Sequence, residues 1–183
     1  MKRIVALLVV TGLLAATAVA VYAETATVSV TAGTLSVDAN DVTLSAVVLD
    51  GGDKTATSAS GSNSWAAEDA RGTGVGWHLT IDATDFTDAA KTINISATDQ
   101  EFKIQLLDTN IAVVTGNAKP TSSVTSLTAI PEAPASALTF ASAAVNEGMG
   151  SYTLNPNFEL EVPAETLAGS YSSTITVSAV SGP

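Results

Sequence analysis

Apolar and polar residues alternate along most of this chain with a period of two, the repeat of a half-buried β-strand rather than of a helix. The clearest run begins at Trp77. Trp77, Leu79 and Ile81 point one way, and His78, Thr80 and Asp82 the other. Phe102, Ile104 and Leu106 alternate with Glu101, Lys103 and Gln105, and Phe158, Leu160 and Val162 with Glu159 and Glu161. The last strand, Tyr171 to Val180, is the most regular, with Tyr171, Ser173, Ile175, Val177 and Ala179 on one face. Shorter runs fill the rest. Thr25 to Val37 reads as two strands broken at Ala32-Gly33. Thr43 to Leu49 reads as the next, ended by the hairpin signal Asp50-Gly51-Gly52-Asp53. Lys54 to Ser60 reads as a polar edge strand. Ser64–Glu68, Thr92–Ser96, Ile111–Val114, Leu138–Ala143 and Ser151–Leu154 are further strands. Thr115 to Ala135, with Pro120, Pro131 and Pro134, is expected to be a long surface loop, and Pro163 to Gly169 a turn or one helical turn. About ten short strands with frequent turn signals and no amphipathic helix predict an all-β, Ig-like β-sandwich. Its core would hold Trp77, Leu79, Ile81, Phe102, Ile104, Leu106, Phe158, Leu160, Val162, Ile175 and Val177.

The first residues change the picture from a fold to a destination. Met1-Lys2-Arg3 is a positive start, Ile4 to Val21 is almost wholly apolar, and Val21-Tyr22-Ala23 suits cleavage after Ala23. The expectation is a signal peptide over residues 1–23 and a single domain over 24–183. A retained membrane anchor is the alternative, because the apolar run is near the length of a span. The other end shows no second apolar tail and no sorting signal, so retention on a cell is expected to be non-covalent. Cysteine is absent, which removes disulfides, thiol catalysis and lipoprotein anchoring together. Without its leader the chain has five basic residues against eighteen acids, a net of about −13. Such a field repels nucleic acid and anionic lipid but not a neutral glycan, a basic protein or calcium.

Candidate chemistry is sparse. The one histidine, His78, lies on the polar face of its strand, where a solvated side chain is the expectation and a general base would need converging partners. Paired carboxylates of the glycosidase kind are not selected by any spacing, and no enzyme is expected. Calcium is the ion that the oxygen-rich loops Asp38–Asp41, Asp50–Asp53 and Asp82/Asp85/Asp88 would suit, although such residues also simply build turns; no cofactor is required. Trp65, Trp77, Tyr152 and Tyr171 are the aromatics that could stack on sugars, with core packing the commoner use.

One stretch is more specific. Asp69-Ala-Arg71-Gly72-Thr-Gly74-Val-Gly76-Trp77-His-Leu79-Thr places three alternate glycines before the strand, a turn open to backbone angles that other residues avoid. R-G-T-G-x-G-W-x-L-T resembles the first signature of the WxL family of bacterial surface proteins. The similarity continues through T-A-G-T-L-S-V, A-T-D-F, N-E-G-M-G-S-Y and the closing E-V-P-A-E-T-L-A-G-S-Y-S-S-T-I-T-V-S-A-V-S-G-P. The resemblance implies a cell-surface module of a Gram-positive bacterium that binds the wall peptidoglycan without a covalent link. Trp77 and Leu79 carry over as binding residues, and Arg71, Gly72, Gly74 and Gly76 as the supporting turn. The chain departs from the family in its last strand, where Val177 and Ala179 stand at the second Trp and Leu positions. Two alternatives therefore stay open: a subunit of a surface layer or fibre that self-associates, and a module that binds another surface protein.

Overall fold

The alternating segments of the chain become short antiparallel strands because each buries every second side chain and leaves the others to water. The structure, a computed structural model, describes residues 25–134 and 137–183. The proposed leader lies outside the described residues. The chain divides into two units, Met1–Val30 and Thr31–Pro183. In the first, residues 25–30 carry no regular structure and are exposed.

The second unit contains, among the described residues, fourteen strands in chain order: β1 (Leu35–Asp38), β2 (Lys54–Thr57), β3 (Trp65–Asp69), β4 (Trp77–Ala83), β5 (Phe86–Asp88), β6 (Lys91–Ile93), β7 (Phe102–Gln105), β8 (Ile111–Gly116), β9 (Thr121–Ser122), β10 (Thr128–Ala129), β11 (Leu138–Ala143), β12 (Gly150–Leu154), β13 (Asn157–Val162) and β14 (Ile175–Ser181). Three four-stranded sheets run β1-β3-β12-β8, β10-β7-β13-β2 and β14-β4-β11-β9, with β5 and β6 as a separate hairpin. The architecture is all-β and of the sandwich type. Its only helical piece among the described residues is a 3-10 turn at Asp108–Asn110.

One apolar core joins the three sheets. Trp65 of the first sheet meets Phe158 of the second at 5.5 Å and Phe140 of the third at 6.0 Å between ring centroids. Phe102 stacks on Phe158, and Phe86 sets its edge against Phe102. Trp77 of the third sheet packs on Tyr152 of the first. Each such ring buried contributes roughly 1.5–3 kcal/mol. Nine of the residues expected inside are buried as the alternation requires, while Ile175 and Val177 are only half-buried.

Several expected elements differ. The strand expected at the head of Thr25–Val37 is absent, and only Leu35–Asp38 forms a strand. Thr43–Leu49 is not a strand. It makes one bridge, Leu44 to Ser58, and then the Ser45 hydroxyl accepts the Thr57 N–H, a side chain taking a ladder acceptor's place. Its inward positions, Val42, Leu44 and Val47, also lose the period of two after Leu44. The segment 115–135 is no simple surface loop. It supplies edge strands β9 and β10 and buries Val124 and Ile130, whose backbones meet Leu106 and Phe102. Strand β8 runs on to Gly116, yet Val113 and Val114 are exposed. The expected Thr92–Ser96 strand shortens to β6, with Ile93 and Ile95 both buried. Residues 163–169 form turns without a helix. The polar edge strand at Lys54 is present, as the outer member of its sheet.

Candidate functional site

The glycine-rich turn acquires its shape from three left-handed residues. Gly72, Gly74 and Gly76 hold φ of 65°, 65° and 76°. At Gly76 a Cβ would lie 2.5 Å from the Ala143 carbonyl oxygen, so only glycine fits. Arg71 pins this turn. Its guanidinium donates to both carboxylate oxygens of Asp69 at 2.9 Å, to the Gly76 carbonyl at 2.9 Å and to the Ser181 hydroxyl at 2.6 Å. Asp69 is 2% exposed. The hydrogen bonds from Arg71 hold its carboxyl below the usual carboxylate range against the opposing effect of burial. Burial pushes the Tyr152 phenol up, and the nearby Asp69 charge adds to that.

Downstream of the turn, β4 lies between β11 and β14. Leu79 is opposite Ala179, Ile81 opposite Val177, and Trp77 opposite Ser181. The first motif and the two second-motif positions thus share one face of one strand pair. The tail of β14 is tied to the start of β4: Gly182 donates its N–H to the Gly76 carbonyl, and His78 Nδ1 donates to the Gly182 carbonyl at 2.7 Å. His78 is half-buried and engaged, not the solvated side chain its position suggested.

Trp77 and Leu79 are both 0% exposed. The indole N–H donates to the Gly148 carbonyl at 2.8 Å. A Cβ at Gly148, whose φ is +67°, would stand 2.7 Å from the indole nitrogen. The turn around Gly148 is held in place by Asn117. Its amide donates to the Asn146 carbonyl at 2.7 Å, its oxygen accepts the Met149 N–H at 2.9 Å, and the Asn146 N–H in turn reaches Gly74 at 2.7 Å. Tyr152 closes the cradle by donating its hydroxyl to Met149 at 2.9 Å. The Trp77 and Leu79 side chains, expected as binding residues, are enclosed in this fold, where they fix β4 and the two turns above it. Asn117 is the member of this cradle that sequence reasoning missed, and nothing in its local pattern marks it. Gly148 and Tyr152 lie in the N-E-G-M-G-S-Y stretch, where their spacing from Trp77 carried no hint of contact.

The remaining candidates separate. Trp65 is 1% exposed, with its N–H on the Asn40 carbonyl, and Tyr152 is buried. Of the four aromatics considered for sugars only Tyr171 reaches the surface, and its ring lies 5.8 Å from the Lys91 ammonium. Several carboxylates of the acidic loops hold local partners, while Asp38 and Asp41 are exposed. Asp50 binds Lys54 at 2.7 Å, Asp88 binds Lys91 at 2.7 Å, Asp85 accepts the Ile95 N–H, and Asp53 accepts that of Ala164. Among the described residues no three His, Asp or Glu side chains converge to hold a metal ion. Lys103 is shared between Glu101 and Glu161, which raise its pKa, Glu161 more. Lys119 donates to the Asp108 carbonyl. Each basic side chain among the described residues is thus occupied, and the outward charge is acidic. No described helix is long and apolar enough to cross a membrane.

Residues 18–183 match the family model described as WxL domain surface cell wall-binding. No curated protein matches the chain.

Proposed function

The chain belongs to the WxL family of cell wall-binding surface domains, and from that premise we propose that it is a secreted module holding non-covalently to Gram-positive peptidoglycan, by binding and without catalysis. The observation that carries this reading is the extent of the family match, from residue 18 to the last residue. The geometry supports a scaffold role for the motif: buried Trp77 and Leu79 set the position of β4, and β14 lies on it in full register from Ile175 to Ser181. The degenerate positions keep that register, because Val177 and Ala179 still face inward beside Ile81 and Leu79. Ligand contact then falls to exposed groups around this frame. The acidic surface favours an uncharged glycan or a basic wall component over an anionic polymer.

The test is co-sedimentation of the protein with purified Gram-positive peptidoglycan, beside a tube without wall. Pelleting that needs the wall supports the proposal. Protein that stays soluble with the wall present overturns it, and the reading of a partner-binding surface module takes its place.

A further inference from the structure

Two segments of this chain have the pattern of a strand without being one. Thr25–Thr31, T-A-T-V-S-V-T, carries no charge and no regular structure, and its Val28 and Val30 are each 88% exposed. Thr43–Leu49 reaches β2 only through Leu44 and Ser45, and its Ala46–Leu49 backbone has no backbone partner among the described residues. Val48 in it is 82% exposed. Beside this second segment runs a groove of about 720 Å³, walled by Val42–Val47 and Leu49 on one side and Thr166–Ser173 on the other, with Phe86, Phe102, Leu160 and Ile175 along its floor. None of its lining residues is charged, in a chain of net charge −11.

We propose that Thr25–Thr31 of a second copy adds as a strand to Thr43–Leu49 and seats Val28 and Val30 in this groove. The chemistry of the two sides matches. In an extended strand Ala26, Val28 and Val30 share one face and Thr27, Ser29 and Thr31 the other, so one side is wholly apolar. The main chain of the incoming segment supplies the bonds that Ala46–Leu49 lacks, and the valines supply the burial. Two copies so acidic repel over most of their surfaces; an uncharged segment in an uncharged groove is the contact where this repulsion is least. The groove suits a peptide better than a sugar. Its floor is aliphatic and phenyl, and its one surface aromatic, Tyr171, is committed to Lys91 and, through its hydroxyl, to the Leu167 carbonyl. Donation in one direction builds chains of copies, and mutual donation builds a closed dimer; either product fits the proposal. It is independent of wall binding.

The absence of native cysteine gives a direct test. Protein with Val28→Cys is mixed with protein carrying Val47→Cys and oxidised without any wall. Val28→Cys mixed with Ser178→Cys, a change on the exposed face of β14, is the control. The expected result is a disulfide between copies in the first mixture in excess over the control, with light-scattering mass that rises with concentration. Val28→Asp, with an unchanged circular-dichroism spectrum, should raise the dissociation constant at least about tenfold, because the groove offers a charge no partner. Cross-linking no greater than the control overturns the proposal. So does a Val28→Cys/Val47→Cys double variant that closes as a monomer in dilute solution, since the segment would then cover its own groove.

Discussion

Replacing Trp77 by Phe separates a structural tryptophan from a ligand-binding one. The indole is fully buried and its N–H satisfies the Gly148 carbonyl at 2.8 Å. Phenylalanine keeps a ring but removes that donor, and Gly148 is itself buried. An acceptor stranded in this way costs about 1–3 kcal/mol. The smaller ring also leaves a gap against Tyr152 and β11, for which about 1–2 kcal/mol is in proportion to the atoms removed. The sum, about 2–5 kcal/mol, does not exceed the roughly 5–15 kcal/mol that holds a domain folded, so the variant should fold and be measurable. Urea unfolding followed by tryptophan fluorescence of Trp65 should show the midpoint falling by about 1–2.5 M with the slope unchanged, for a slope of about 2 kcal/mol/M. Peptidoglycan co-sedimentation of the folded variant should equal that of the wild type. A normal midpoint with lost binding would refute the reasoning, because the indole would then be acting on the ligand. A normal midpoint with normal binding would refute the energetic half, since the Gly148 bond would be contributing nothing.

Arg71→Met should destabilise the protein by about 3–5 kcal/mol at neutral pH, because it leaves the buried Asp69 carboxylate unpaired. In the wild type the Asp69 pKa is lowered, so its contribution is present above the unfolded value of about 3.9 and is lost as pH falls through the lower folded value. In the variant protonation relieves the buried charge instead, so the gap between the two proteins should narrow below about pH 4; denaturation curves at several pH values check this, and a constant gap would contradict it. Val177→Trp restores the second aromatic position of the family. Val177 lines a space of about 540 Å³ beside Trp65 and Asn40, so the larger ring should be accommodated and stability should rise by about 1 kcal/mol. A fall in thermal midpoint would mean that the space closes in solution.

Period-two alternation settled much of the fold before any tertiary information. It placed Trp77, Leu79, Ile81, Phe102, Ile104, Phe158 and Leu160 in the core, and these side chains are buried. The family was legible because the R-G-T-G-x-G-W-x-L turn is a local device: the backbone angles of Gly72, Gly74 and Gly76 need glycine whatever packs on them. Pattern misled at Thr25–Thr31 and Thr43–Leu49. A strand requires a partner of matching register, and alternation within one segment carries no information about whether such a partner is free. It also understated 115–135, where proline and serine suggested a loop while Val124 and Ile130 were finding places in the core.

Local chemistry, then, is what the sequence by itself determined: an all-β chain, a glycine turn before a tryptophan strand, an excess of acid, and membership in a wall-binding family. Only the tertiary structure decided what those residues face. It turned Trp77 and Leu79 inward, gave Trp77 a carbonyl 71 residues away at Gly148, brought Ser181 to Arg71 across 110 residues, and left an uncharged groove open beside Tyr171. The physical reason is that burial and hydrogen-bond partners in a sandwich come from strands distant in the chain, so a residue's environment is set by topology and register, which no single segment encodes.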